Sequence, residues 1–338
     1  MALIRIENLV KEFQTTRRQT GRLGALRTLF TRQRDVKRAV DGVTFSIDEG
    51  ELVGYIGSNG AGKSTTIKVL TGILVPTSGE VEVDGIVPWR ERERNALNIG
   101  VVFGQRSQLW WDLPLEESFR LVGRMYRVPD EEYRRMLARL DDLLGLSEFM
   151  STPVRQLSLG QRMRGDLAAA MLYQPRILYL DEPTVGLDVL AKERVRSFVE
   201  EVNRAKGTTV ILTTHDLADV ERLCQRLIVI DQGRILYDGS VERLKAEYAP
   251  HRELVVTLAP DGVPADTPVV VDGAEPVKHE EAKTWLRFDP ERLPVAELIA
   301  RVTERYPVRD LSIVEPDLEG VVRRIYRERE AARAEAPS

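Results

Sequence analysis

The stretch Gly57-Ser58-Asn59-Gly60-Ala61-Gly62-Lys63-Ser64-Thr65 constrains this chain more than any other. It follows an apolar run at 52–56 that reads as a strand and opens a run at 66–70 with helical character. Glycines in such a loop let successive backbone N–H groups turn inward onto phosphate oxygens, and the helix start adds partial positive charge. Lys63 is then expected to reach the β- and γ-phosphates, Ser64 to offer its hydroxyl to Mg²⁺, and Thr65 to donate to a further phosphate oxygen. A glycine-rich turn that binds nothing is the bland alternative, and the flanking strand and helix argue against it. Nucleotide binding is the premise for the rest of the chain.

Other chemistry converges on the same place. An apolar run ends in Asp181-Glu182, which sets two carboxylates at the C-terminal edge of a parallel sheet, where ligands of such sheets bind. Asp181 is expected to hold Mg²⁺ with Ser64, and Glu182 to polarise the attacking water. His215 closes the next apolar strand and reaches the same edge, as does Gln105 at the end of the strand at 98–103. Further along, Leu157-Ser158-Leu159-Gly160-Gln161 precedes an alanine-rich helix that Ser158 can cap. This makes a second helix start suited to phosphate, and two chains that each lend it to the other's nucleotide would use both.

Strands alternating with helices predict a mostly parallel sheet covered on both faces. Residues 3–9 alternate apolar and polar and read as a sheet-edge strand, with a second strand at 43–47. Between them a basic insertion at about 14–39 carries Arg17, Arg18, Arg22, Arg27, Arg32, Arg34, Lys37 and Arg38 against Asp35. Leu23, Leu26, Leu29 and Phe30 fit either a basic amphipathic helix or a solvated loop. Helical patterning dominates about 106–164. Strands at 176–182 and 208–213, a helix at 190–206 and a hairpin at 227–237 complete a first domain over 1–248. Residues 250–330 begin afresh as a small α+β domain, with strands at 253–258, 269–271, 284–288 and 311–314 and helices at 295–306 and 318–329. Residues 331–338 read as a disordered tail.

These motifs resemble those of ATP-binding-cassette (ABC) ATPases over roughly residues 1–245. Residues 57–65 match the Walker A loop, Gln105 the Q-loop and Leu157 to Gln161 the signature. Residues 177–182 match Walker B, Gly186-Leu187-Asp188 the D-loop, and His215 the switch histidine. The resemblance implies an α/β P-loop NTPase core with an antiparallel β subdomain and a helical subdomain. It also implies ATP and Mg²⁺ as cofactors, with Ser64, Gln105 and Asp181 at the metal. Glu182, His215 and Gln105 would be catalytic, and Ser158, Leu159, Gly160 and Gln161 would contact a partner chain's ATP. Phe13 is the candidate to stack on adenine, and Leu159 departs from the glycine usual in the family. The run from Val102 to Asp112 is similar to a bacterial subgroup of drug- and viologen-exporter-like ATPases. Trp110 and Trp111 fit core aromatics, but adjacent residues cannot share a helix face, so one is expected to meet a permease.

The chain has 338 residues, enough for one large and one small domain, with 43% hydrophobic and 30% charged residues and a net charge of -4. That balance gives no reason to expect nucleic acid as a partner. Its single cysteine, Cys224, cannot form an internal disulfide. No apolar run approaches the ~20 residues that span a bilayer. The expected role is the ATPase subunit of an exporter, peripheral on the cytoplasmic membrane face, working with membrane-spanning permease subunits and a second ATPase subunit. An importer ATPase with a regulatory C-terminal domain, and a soluble ABC ATPase outside transport, are the alternatives.

Overall fold

In the computed structural model, residues 2–16, 34–104, 107–260, 268–315 and 317–334 are described. They divide into two compact units, Met1–Gly239 and Ser240–Ser338. Most of the basic insertion, from Arg17 to Arg32, lies outside the described residues, as do Gln105 and residues 335–338.

The first unit opens with a three-stranded antiparallel sheet of order β2–β1–β4, from β1 (Ala2–Thr16), β2 (Arg34–Asp48) and β4 (Ser78–Val83). β1 is therefore central rather than an edge: Ile4 pairs with Ile47 on one side and Val83 on the other. Its alternation reports one wet face, since Ile4 and Ile6 are buried while Arg5 is exposed. Both ends of the supposed insertion, 14–16 and 34–39, are strand.

The second sheet has six strands in the order β5–β6–β7–β3–β8–β9. They are β3 (Leu52–Gly57), β5 (Ile99–Phe103), β6 (Ile177–Asp181), β7 (Thr209–Thr213), β8 (Arg226–Asp231) and β9 (Arg234–Ser240). The neighbours from β5 to β8 pair in parallel, and β8 and β9 join through Gln232 and Gly233, both at positive φ as a tight hairpin turn requires. Burial on both faces explains why β6, β7 and β8 are near-continuous apolar runs. Ile4, Ile6 and Phe45 of the first sheet share one core with Tyr55, Tyr179 and Ile228 of the second, and with Ile67 and Leu70 of α1 (Lys63–Leu70). Each such buried aliphatic contributes about 1.5–3 kcal/mol.

Helix α2 (Arg92–Asn98) precedes β5, and its short, mostly polar sequence hides it from periodicity. The helical region contains α3 (Leu115–Met125), α4 (Asp130–Leu144) and α5 (Leu159–Met171). α5 is buried from Met163 to Met171 and packs against β5, α3 and α4, so it runs on past the 164 boundary. Its alanines let neighbours approach closely, and a side chain at Gly165 would meet Leu115 at 2.9 Å and Leu109 at 3.0 Å. After β6 come α6 (Val189–Lys206) and α7 (Leu217–Leu223), and Cys224 at the end of α7 is buried.

The second unit holds α8 (Val241–Tyr248), so it begins at Ser240 and not after residue 248 as the sequence pattern predicts. Its antiparallel sheet of order β11–β12–β10–β13 comprises β10 (Arg252–Leu258), β11 (Ala274–Glu280), β12 (Lys283–Phe288) and β13 (Val308–Val314). Leu254, Val256, Leu286 and Phe288 form its core with Leu298 and Val302 of α9 (Val295–Arg305). The expected strand at 269–271 is only a bridge from Val271 to Ala274, and β11 was missed because Pro276 and its charged residues disguise it. α10 (Leu318–Ala334) continues through residues 331–334, where composition predicts a disordered tail.

Candidate nucleotide site

β3 delivers the chain to the loop at Gly57, and the first constraint there is space. A side chain at Gly57 would meet the Ile230 carbonyl oxygen at 2.3 Å, and one at Gly62, where φ is +113°, would meet that of Ala39 at 2.5 Å. Gly62 caps α1 without any side-chain hydrogen bond, so the cap residue satisfies none of the first-turn donors with a side chain. Lys63 is buried, and its Nζ donates to the carbonyls of Gly57 at 2.7 Å and Ser58 at 3.2 Å, inside the curl of the loop. Burial lowers its pKa, opposed by the nearby carboxylates of Glu182 and Asp181.

The sheet edge then adds its groups. Ser64 Oγ donates to Asp181 Oδ2 at 3.0 Å, and Thr213, at the end of β7, donates to Asp181 Oδ1. Glu182 follows in the left-handed region (φ +58°), which costs a non-glycine residue about 1 kcal/mol. It is held there by its N–H on the Thr213 carbonyl at 2.8 Å. Glu182 Oε1 lies 3.5 Å from His215 Nδ1. Lys63, Ser64, Asp181, Glu182 and His215 thus converge as expected from the sequence, and Thr213 joins them unforeseen. It closes β7 opposite Asp181 in the parallel pairing with β6, two residues before His215, which lies beyond the strand. Gln105 lies outside the described residues, although Gly104 N donates to the Asp181 carbonyl at 2.7 Å. Phe13 is partly exposed, with Lys11 Nζ 5.3 Å from its ring centre, and it pairs with Lys37, two residues from the Ala39 that packs on Gly62.

Among the described residues no group of three or more His, Cys, Asp or Glu could hold a metal. The Ser64 hydroxyl beside one Asp181 carboxylate still fits Mg²⁺, which takes one or two protein oxygens and fills its octahedron with phosphate and water.

The residues 158–161 sit elsewhere in the unit. Ser158 Oγ accepts from Gln161 N at 3.2 Å while Gln161 Oε1 accepts from Ser158 N at 2.9 Å, a complete capping box on α5. Gly160 abuts Ala191, and Leu159 packs over Gly186. Asp188 caps α6 by accepting from Ala191 N at 2.8 Å, and the next two side chains, Val189 and Leu190, are 82% and 78% exposed. Thr184, between β6 and α6, and Arg196 of α6 both bond the buried Asp219 carboxylate, and Lys192 of α6 bonds Asp216 at 2.7 Å, next to His215. Both Trp110 and Trp111 are exposed, so neither is a core aromatic.

A family model described as ABC transporter matches residues 40–185. The linearmycin resistance ATP-binding protein LnrL of Bacillus subtilis (strain 168) is 31% identical over 289 residues, covering 84% of this chain and 92% of that protein. The chain belongs to the ABC transporter family of ATP-binding proteins. The daunorubicin resistance ATP-binding protein DrrA3 of Streptomyces coeruleorubidus is 39% identical over 223 residues, 65% of this chain and 69% of that one. Among solved structures, the dimeric post-hydrolysis state of the ATP-binding cassette MJ0796 bound to ADP and Pi superposes with a TM-score of 0.59 at 26% identity, covering 70% of this chain and 98% of that one. As an ABC family member the chain is an ATP-binding subunit and an ATPase.

Proposed function

We propose that this ABC subunit hydrolyses ATP to power export through separate membrane-spanning permease subunits, resting on the cytoplasmic face of the membrane. The observation that carries the reading is the meeting of Ser64, Asp181, Glu182 and His215 at the mouth of the phosphate loop. Lys63 neutralises β- and γ-phosphate charge, and Phe13 stacks on adenine. Ser64, Asp181 and Gln105 hold Mg²⁺, which when bound supplies charge neutralisation between the phosphates. Glu182 orients and deprotonates the attacking water, and His215 steadies the γ-phosphate.

The helix start at Ser158 to Gln161, with Asp188 beside it, serves the nucleotide of a second ATP-binding subunit. Exposed Val189 and Leu190 at that corner suit burial against such a partner. Among the described residues no helix is long and apolar enough to cross a membrane, which supports separate permease subunits, with Trp110 and Trp111 as their docking point. Two relatives carry antibiotic resistance in their names, and pumping a toxin outward is the transport direction that confers it.

The test is phosphate release by the purified chain, followed by transport in inside-out vesicles containing its permease. ATP turnover that stops on Mg²⁺ chelation, and ATP-dependent uptake into those vesicles, are expected. An absence of turnover, or movement in the opposite direction, contradicts the reading.

A further inference from the structure

One buried ionisable group takes no part in the chemistry above. Asp166 lies midway along α5, directly before Leu167 and three alanines, and is only 4% exposed. Its Oδ1 accepts two hydrogen bonds, from Ser107 Oγ at 2.9 Å and from Gln108 N at 3.0 Å. Gln108 Nε2 in turn donates to the Asp166 carbonyl at 3.2 Å. Ser107 Oγ also accepts from Leu109 N at 3.1 Å, and Leu109 is buried beside Gly165 of the same helix. The segment just beyond Gln105 is thereby clamped to the helix that begins at Ser158. It continues into the exposed tryptophans, where Trp110 N donates to Ser118 Oγ at 3.3 Å and Trp111 O accepts from Arg155 N at 2.9 Å.

Stability alone does not account for an acid here. Burial pushes the Asp166 carboxyl up to about 6, offset in part by the two donors and by Arg162 one turn earlier on the helix. A well-packed apolar side chain avoids that desolvation cost. What the carboxylate supplies is an acceptor that locks two chain segments, 58 residues apart, in one register.

We infer that Asp166 is a positioning residue: by gripping Ser107 and Gln108 it makes the Trp110–Trp111 surface and the Ser158 end of α5 move as one piece, so that a load on the former sets the latter. The inference rests on reading Ser158 to Gln161 as the phosphate-facing helix start. It assigns Asp166 to turnover and not to nucleotide capture, because the clamp's bonds join the 107–109 segment to α5 and, among the described residues, none of them reaches the phosphate loop.

Steady-state ATPase kinetics on the full chain test it. Asp166→Ala removes the shared acceptor and should lower kcat about tenfold with KM within twofold of wild type. Asp166→Asn keeps an Oδ1 that can accept both bonds and should restore kcat to within twofold. An Asp166→Ala protein that turns over normally overturns the inference, as does a loss in KM instead of kcat or an Asn variant as slow as Ala. If Asp166→Ala does not fold, as judged by circular dichroism, Ser107→Ala decides: a roughly threefold lower kcat at constant KM is expected, and an unchanged kcat overturns the clamp. Inactive wild type would instead count against the proposed function.

Discussion

Two helices of the ATPase unit, α1 and α5, start from polar loops suited to phosphate, yet they are finished in opposite ways. α1 begins at Gly62, which offers no side-chain acceptor, and the Lys63 cation is folded into its loop. α5 begins at Ser158 with a capping box in which Ser158 and Gln161 satisfy each other. The first start leaves backbone donors for an external anion, whereas the second has already spent its serine hydroxyl on its own helix. On the proposed function, nucleotide capture at α1 is a local property of the folded chain. A contribution from α5 requires an incoming phosphate to compete with an existing cap, which makes that contact conditional.

The largest effect expected from this contrast is at α1. Lys63→Ala should reduce nucleotide affinity on the order of 10³-fold and abolish turnover with it, because a partly desolvated ammonium–phosphate contact has no substitute in the loop. Titration with a fluorescent ATP analogue measures this, and an unchanged affinity would remove the asymmetry between the two helix starts.

A smaller effect concerns the interior of α5, which has a buried acid where α1 has none. Asp166 keeps its proton to about pH 6 when folded, against an ordinary carboxylate value near 4 when unfolded. Its stabilising contribution is thus present below about pH 4 and is lost as pH rises through about 6. Relative to wild type, Asp166→Asn should gain on the order of 2 kcal/mol between pH 4 and pH 7. Denaturant melts of both proteins at the two pH values check this, and a pH-independent difference would contradict it.

The smallest effect sharpens the comparison at the cap itself. Ser158→Ala should cost about 1 kcal/mol of stability while leaving the nucleotide affinity of the isolated subunit within twofold. Thermal melts and the same titration distinguish the two quantities, and an affinity loss to match Lys63→Ala would place both helix starts in one site.

The sequence made α1 legible because its chemistry is local: glycines, lysine and hydroxyls stand in a row, and strand and helix flank them. Asp181, Glu182 and His215 were legible because each ends or closely follows an apolar strand, and parallel strands share an edge. What stayed hidden depends on contacts between distant residues. Nothing local marks Asp166 as the acceptor for Ser107 and Gln108, or Thr213 as the donor to Asp181. The positive φ of Glu182 is imposed by its bond to Thr213 and is not a preference of glutamate. Among the strands, β1 looked like an edge because alternation registers a wet face and says nothing about how many partners a strand has. β11 escaped because its proline and charges lie on a strand with one mostly exposed face.

The claim on which the account stands is that Glu182 activates water at a site where binding is already complete without it. The direct measurement is phosphate release by purified Glu182→Gln beside nucleotide titration of the same protein. ATP affinity should match wild type while release falls at least about 100-fold. Release near the wild-type rate, or affinity lost in step with release, would contradict it.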